Sequence, residues 1–205
     1  MILILILILL VWYLLPRYQH PVVLKNVLTS EECEHIKKQA LPRLHPSTVG
    51  GNHQVNKNIR QSDTAWLNGD EDPVVKDIIK RLIKHIDRPV SNCEHLQVLR
   101  YKPGGYYKPH YDAFKNGTNP RMYTFILALN DDYEGGETAF PTIKKSYRMP
   151  KGDCLLFENL DNYELMTGRA YHGGRPVTRG EKWVCNLWVH KYPYTGTQLL
   201  KNMGR

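Results

Sequence analysis

A chain of 205 residues suits one domain with an ample core and is too short for two large ones. Its 41% hydrophobic and 23% charged residues are those of a folded globular protein and exclude an intrinsically disordered chain. The formal net charge of +8 favours anionic partners, but Lys and Arg are spread along the sequence and no zinc-finger, RNA-recognition or helix-turn-helix pattern occurs, so no nucleic acid partner is expected.

Residues 1–15, MILILILILLVWYLL, are almost wholly apolar. They fall short of the about 20 apolar residues a spanning helix usually needs, while Trp12 and Tyr13 sit where an interfacial aromatic belt would lie. With no basic leader and no small-residue cleavage site, residues 1–16 read as an uncleaved signal anchor. A cleaved signal peptide and a buried strand are the alternatives. An anchor implies the membrane of the endoplasmic reticulum or secretory pathway with a luminal domain, although the positive residues that follow the segment favour the opposite orientation. The soluble domain is expected over residues 21–195, followed by a tail at 196–205.

Thr29 and Glu32 form a capping-box pattern, which predicts a helix from Ser30 to about Ala40, ended by Pro42 and Pro46. Between Leu44 and Ala65 the pattern is irregular, with a Gly50-Gly51 turn and a short strand over Ile59 to Asp63. Asp72 followed by Pro73 starts a second helix, in which Val75, Ile79, Leu82 and Ile86 mark one apolar face. Val74, Ile78 and Ile83 widen that face. After Pro89, short β-rich runs alternate with turn clusters: LQVLRY, GYYKPHYD, MYTFILAL, ETAF, DCLLFE, RAYHGG and KWVCNLWVH. Helices followed by many strands predict an α+β, mainly β domain, an antiparallel sandwich or barrel with helices on one side. Cys33, Cys93, Cys154 and Cys185 lack a zinc spacing and read as buried thiols, with one disulfide the alternative in a luminal domain.

GYYKPHYD carries the chemistry. On an extended strand His110 and Asp112 point the same way, so an imidazole and a carboxylate come together, as a metal requires. A lone H-x-D is common by chance, and most of the other histidines are ordinary surface or core residues. His172 is selected by its place on a late strand, ten residues before Lys182 on another. Two His and one Asp make a facial triad, leaving three positions of an octahedral iron open.

The array of His110, Asp112, His172 and Lys182, together with GGETAFP (Gly135 to Pro141) and GEKWVCNLWVH (Gly180 to His190), resembles the catalytic domain of the prolyl 4-hydroxylases, in particular the collagen-type and plant or algal members. The likeness covers roughly Pro21 to Tyr192. It implies a double-stranded β-helix, or jelly roll, with packing helices at the N-terminal side. It further implies Fe(II) held by His110, Asp112 and His172, and 2-oxoglutarate held through its distal carboxylate by Lys182 with Tyr101 and Thr138. O2 is the second cosubstrate, and ascorbate is expected as an auxiliary. The reaction implied is C4 hydroxylation of peptidyl proline, with 2-oxoglutarate and O2 converted to succinate and CO2.

The same resemblance places Arg60, Ser62, Glu94, Tyr107, Arg121, Trp188 and His190 on the side of a proline-rich or collagen-like peptide. Tyr107 precedes His110 by three residues and would face away from it on a regular strand unless Lys108-Pro109 bends the backbone. Trp66, Trp183 and Trp188 are by composition more often core than groove. The polar stretches Gln54 to Thr64 and Ala113 to Pro120 are expected to act as lids. Two rival functions stand beside this one. The same cofactor chemistry would serve a lysyl residue, a free amino acid or a nucleobase, and a catalytically silent jelly roll would only bind a metal or a proline-rich partner. The sequence leaves the oligomeric state open.

Overall fold

The computed structural model describes residues 4–5, 14–50, 54–113 and 118–195. In chain order the elements are β1 (Val22–Leu24), α1 (Ser30–Ala40), β2 (His45–Pro46), β3 (Arg60–Gln61), β4 (Asp63–Leu67) and α2 (Pro73–Leu82). Then come β5 (Leu96–Tyr101), β6 (Tyr106–His110), β7 (Arg121–Ala128), β8 (Glu134–Gly135), β9 (Thr138–Phe140) and β10 (Lys145–Tyr147). The last are β11 (Cys154–Glu158), β12 (His172–Gly174), β13 (Val177–Arg179) and β14 (Lys182–His190). Seven strands form a major antiparallel sheet in the order β1-β11-β7-β14-β5-β4-β2, and five form a minor sheet in the order β10-β9-β12-β6-β3. The two sheets make the jelly roll, and the short β13-β8 pair stands apart.

Both helices start where the sequence predicts. Thr29 Oγ1 accepts from the Glu32 amide at 3.2 Å while the Glu32 carboxylate accepts from the Thr29 amide at 2.9 Å, so two otherwise orphaned donors are satisfied reciprocally. Asp72 accepts from the amides of Val74 and Val75, and Pro73 occupies the first turn. Helix α1 ends at Ala40, but Pro42 does not stop the winding: a single 3₁₀ turn, Leu41–Arg43, follows, with Pro42 in its first positions, where no amide donor is needed. Arg81 on Glu32 at 2.8 Å and His35 on Asp72 at 2.6 Å tie the helices together.

Alternation along the long strands divides the interior in two. Leu96 and Val98 of β5, Phe125 and Leu127 of β7, and Trp183, Cys185, Leu187 and Val189 of β14 share one cluster with Ile36 and Ala40 of α1 and with Val75, Ile78, Ile79 and Leu82 of α2. The intervening residues Leu99, Tyr101, Ile126, Ala128 and Val184 turn to the inside of the roll and pack with Phe140 and Phe157. The buried cluster on the helix-facing side is apolar and carries stability, whereas the inner side holds the polar residues of the site.

The structure differs from the sequence reading in local ways. IRQSD is not one strand: Arg60 and Gln61 pair with β6 in the minor sheet, while Asp63 begins β4 in the major sheet. Strand β6 stops at His110, so Asp112 lies in the bend beyond it. All four cysteines are free; Cys33, Cys154 and Cys185 are buried core thiols. Cys154 and Cys185 both pair across the sheet with Leu127, so β7 separates them. Most of the 1–16 segment, the whole 196–205 tail and residues 114–117 of the Ala113 to Pro120 stretch expected as a lid lie outside the described residues, whereas the other expected lid, Gln54 to Thr64, is described throughout. Among the described residues no helix is long and apolar enough to cross a membrane.

Candidate active site

A cavity of about 560 Å³ opens between the sheets. Its floor carries His110, Asp112 and His172, whose ligand atoms all lie within 4.8 Å of one another. Registry explains the convergence, since His110, the last residue of β6, is the Cα partner of His172, the first of β12. Asp112 arrives from the following bend. Its Oδ1 lies 3.4 Å from His110 Nε2 and its Oδ2 3.7 Å from His172 Nε2.

Each imidazole is held by its other nitrogen. Nδ1 of His110 donates to the Lys108 carbonyl at 2.9 Å, and Nδ1 of His172 to the Ala170 carbonyl at 3.0 Å. A carbonyl only accepts, so the protons sit on Nδ1 and both Nε2 lone pairs face the carboxylate. Asp112 Oδ2 accepts from the Thr124 hydroxyl at 2.8 Å, and Thr124 in turn accepts from Asn159 Nδ2 at 2.8 Å. Burial favours the neutral Asp112 carboxyl, but the surroundings, His172 first, then His110 and the Arg121 guanidinium, outweigh it and hold the acid well below its usual range. Burial drives His172 the other way, down to about 4 despite Asp112. An anionic carboxylate with two neutral imidazoles is the donor set a divalent iron takes.

Lys182 opens on the same cavity and is 4% exposed. Its Nζ donates to the Gly136 carbonyl at 2.6 Å, and no carboxylate lies in salt-bridge reach of it among the described residues. Burial lowers its pKa to about 8, opposed by Glu137 at longer range. Gly136 is required here. It has φ +67°, and a Cβ on it would stand 3.1 Å from the Lys182 side chain. Tyr101 pairs with Lys182 across β5 and β14, with its ring 5.6 Å from Nζ, and Thr138 lines the same cavity. A buried ammonium that lacks an anion fits a ligand that brings a carboxylate.

Tyr107 faces the site. Between Gly174 and His172 β12 advances two residues while β6 advances three, from Tyr107 to His110. The extra residue is a bulge at Lys108-Pro109, where proline has no amide to offer the ladder. It resets the alternation, so that Tyr107 stacks on His110 with ring centroids 3.7 Å apart. Gly173 allows the close approach, since a Cβ there would meet the Tyr107 carbonyl at 2.7 Å.

The other residues expected on the substrate side form two groups. Glu94 is buried and accepts from Arg121 Nη2 at 3.0 Å and from His190 Nε2 at 2.7 Å, and Arg121 lies 3.8 Å from the Trp188 ring. Burial raises the Glu94 carboxyl, but Arg121 and His190 reverse this and keep it low. Arg60, Glu94, Tyr107, Arg121 and Trp188 line the cavity. His190 sits behind Glu94, stacked on Tyr194, and Ser62 sits behind Arg60, accepting from its Nε at 3.0 Å. Sequence reasoning missed Trp66, which is 38% exposed, lines the cavity and lies 6.1 Å from Trp188. It also missed Thr124 and Asn159. Trp66 is signalled by its place on a strand ahead of a Gly/Asp turn, whereas nothing in the sequence marks the other two.

A jelly roll with a His-Asp-His cluster and a buried lysine in one cavity defines an oxygenase of the iron and 2-oxoglutarate class. The model of the 2OG-Fe(II) oxygenase superfamily matches residues 96–190. The chain is 36% identical over 193 residues to prolyl 4-hydroxylase 1 of Arabidopsis thaliana, covering 83% of this chain and 68% of that one. Its fold is similar to the viral collagen prolyl hydroxylase of Paramecium Bursaria Chlorella virus-1, solved with 2-oxoglutarate, at TM-score 0.71 and 28% identity over 85% of this chain and 97% of that one. A Trichoplax adhaerens prolyl hydroxylase shares the fold at TM-score 0.64 and 19% identity, covering 88% of this chain and 86% of that one. The chain belongs to the prolyl 4-hydroxylase family. It is an oxidoreductase that uses Fe(II), 2-oxoglutarate and O2.

Proposed function

We propose that the chain hydroxylates C4 of prolyl residues in extended peptides, with His110, Asp112 and His172 holding Fe(II) and Lys182 holding the distal carboxylate of 2-oxoglutarate. The observation that carries this reading is the buried Lys182, without a carboxylate partner among the described residues, in the same cavity as the three converging ligand atoms. The iron, when bound, activates O2 with the keto acid, giving succinate, CO2 and one oxygen atom for an unactivated carbon.

The chain's own residues bind and orient. Lys182 and Tyr101 fix one end of the keto acid, and the Thr138 hydroxyl completes that end. The Nδ1 contacts of His110 and His172 keep both imidazoles in the ligating tautomer, and Thr124 holds Asp112 in register with them. Above them Tyr107, Trp66 and Trp188 offer aromatic faces to a polyproline II segment, whose rings and exposed carbonyls such faces suit. The Glu94-Arg121-His190 network sets the wall that carries Trp188. Residues 1–16 anchor the domain at the membrane of the secretory pathway, which the apolar run and its aromatic end support. Ascorbate sustains turnover as a reductant.

The test is incubation of the protein with Fe(II), 2-oxoglutarate and proline-rich or collagen-like peptides, followed by mass spectrometry. A gain of one oxygen at proline C4 is expected, and His172→Ala should abolish it along with succinate release. Oxidation of lysine or a free amino acid with every proline peptide untouched would overturn the substrate. Undiminished succinate release from a folded His172→Ala protein would overturn the metal assignment.

A further inference from the structure

A second cavity, of about 200 Å³, lies on the other side of Arg60 from the active site, walled by Lys57, Arg60, Ser62, Asp63, Arg100 and Lys102 among others. Four cations there face one carboxylate, and Arg100 takes that carboxylate with Nε and Nη2 on Asp63 Oδ2 at 3.1 and 2.7 Å. Lys57, Arg60 and Lys102 have no carboxylate in salt-bridge reach among the described residues. Arg60 is the telling one. It is 6% exposed, yet among the described residues its Nη2 is buried without a hydrogen-bond partner, while its Nε donates to the Ser62 hydroxyl and its guanidinium lies 4.6 Å from the Tyr107 ring. A buried guanidinium without an anion is costly, and a ligand that supplies the anion removes that cost. The turn that carries Lys57 is also held at this place, since the Tyr106 hydroxyl donates to the Lys57 carbonyl at 3.0 Å.

Arg60 lines both cavities, so an occupant of one lies beside an occupant of the other. Its guanidinium lies over Tyr107, and Tyr107 stacks on His110, which places it one ring away from the metal ligands. A polyproline II chain advances about 3.1 Å per residue, so a side chain that reaches Arg60 comes from two or three residues away from the reacting proline. We propose that this cavity takes the side-chain carboxylate of an acidic residue two or three positions from the target proline, making the enzyme selective for acidic proline-containing peptides. The proposal rests on the prolyl reading for the word substrate, but binding at the cavity does not depend on turnover.

The experiment uses the full chain and matched fluorescent proline peptides carrying Glu or Gln, scanned over the second and third positions on each side of the proline. Fluorescence polarisation reads binding, and succinate release reads KM. At one position the Glu peptide should bind about tenfold more tightly and show a correspondingly lower KM, with the gap narrowing as salt is raised. Lys57→Ala combined with Lys102→Ala should close the gap, the Gln peptide serving as internal reference. Inorganic phosphate should weaken the Glu peptide selectively. Equal affinities at every position, a gap that survives the double substitution, or phosphate inhibition of both peptides alike would overturn the proposal, the last by making the cavity a free-anion site. Failure to oxidise any proline would overturn the prolyl reading instead, and the polarisation data would still decide the cavity.

Discussion

Thr124 and Lys182 illustrate what single side chains contribute and how unevenly the sequence reveals them. The Thr124 hydroxyl fixes the carboxylate oxygen of Asp112 and is itself fixed by Asn159. Thr124→Val keeps the shape and removes that bond, so Fe(II) affinity should fall about 10- to 100-fold in an iron titration, with little change in the 2-oxoglutarate KM. Lys182→Ala should do the reverse, greatly raising the 2-oxoglutarate concentration needed. The pH dependence follows from its pKa of about 8, lowered from 10.5 by burial. In the free enzyme the native state loses this proton before the unfolded chain does. The cost of burying the charge is therefore complete below pH 8 and fades between pH 8 and 10.5 as pH rises. On the proposed role of Lys182, binding of the dicarboxylate draws on the ammonium, so above pH 8 it should weaken and take up a proton, read by calorimetry in buffers of different ionisation enthalpy. His110, Asp112, His172 and Lys182 were legible because their chemistry is rare and costly to bury. A threonine or asparagine inside a strand resembles every other one until its partner is placed.

At the scale of elements, periodicity was the strong signal and strand boundaries the weak one. Helix α2 declared itself by its cap and its apolar face, and the structure buries Val75, Ile78, Ile79 and Leu82 on that face against the major sheet. That layer is separate from the polar inside of the roll. Ile78→Ala should therefore cost about 2–5 kcal/mol in chemical denaturation while leaving the 2-oxoglutarate KM unchanged. Where the sequence misled, a proline or a change of sheet intervened. The Lys108-Pro109 bulge reverses the side to which Tyr107 points, and Ser62 lets the chain pass from the minor sheet to the major one between Gln61 and Asp63. Two-residue alternation cannot register either event, because each adds or removes a step in the count on which the alternation depends.

For the whole molecule, the remaining question is how residues 1–16 join the domain. Tyr18 is 9% exposed and packs with the body, and the Arg17 amide donates to Asn162 Oδ1 at 2.5 Å, so the folded unit already begins just after the apolar run. Leu14 and Leu15 are exposed, at 56% and 52%, and the Tyr163 hydroxyl donates to the Leu14 carbonyl at 2.7 Å. Leu14 and Leu15, the described residues at the end of that run, therefore add no side chain to the core. A chain starting at Arg17 should keep its thermal midpoint within a few degrees and retain full turnover of a soluble proline peptide. It should lose flotation with phospholipid vesicles, which the intact chain should show. A chain starting at Pro21 removes Tyr18 as well and should be measurably less stable by the same thermal scan, because a buried aromatic ring is lost from the packing. Equal flotation of the intact and Arg17-started chains would refute the anchor, and loss of folding in the Arg17-started chain would show instead that the apolar run belongs to the domain.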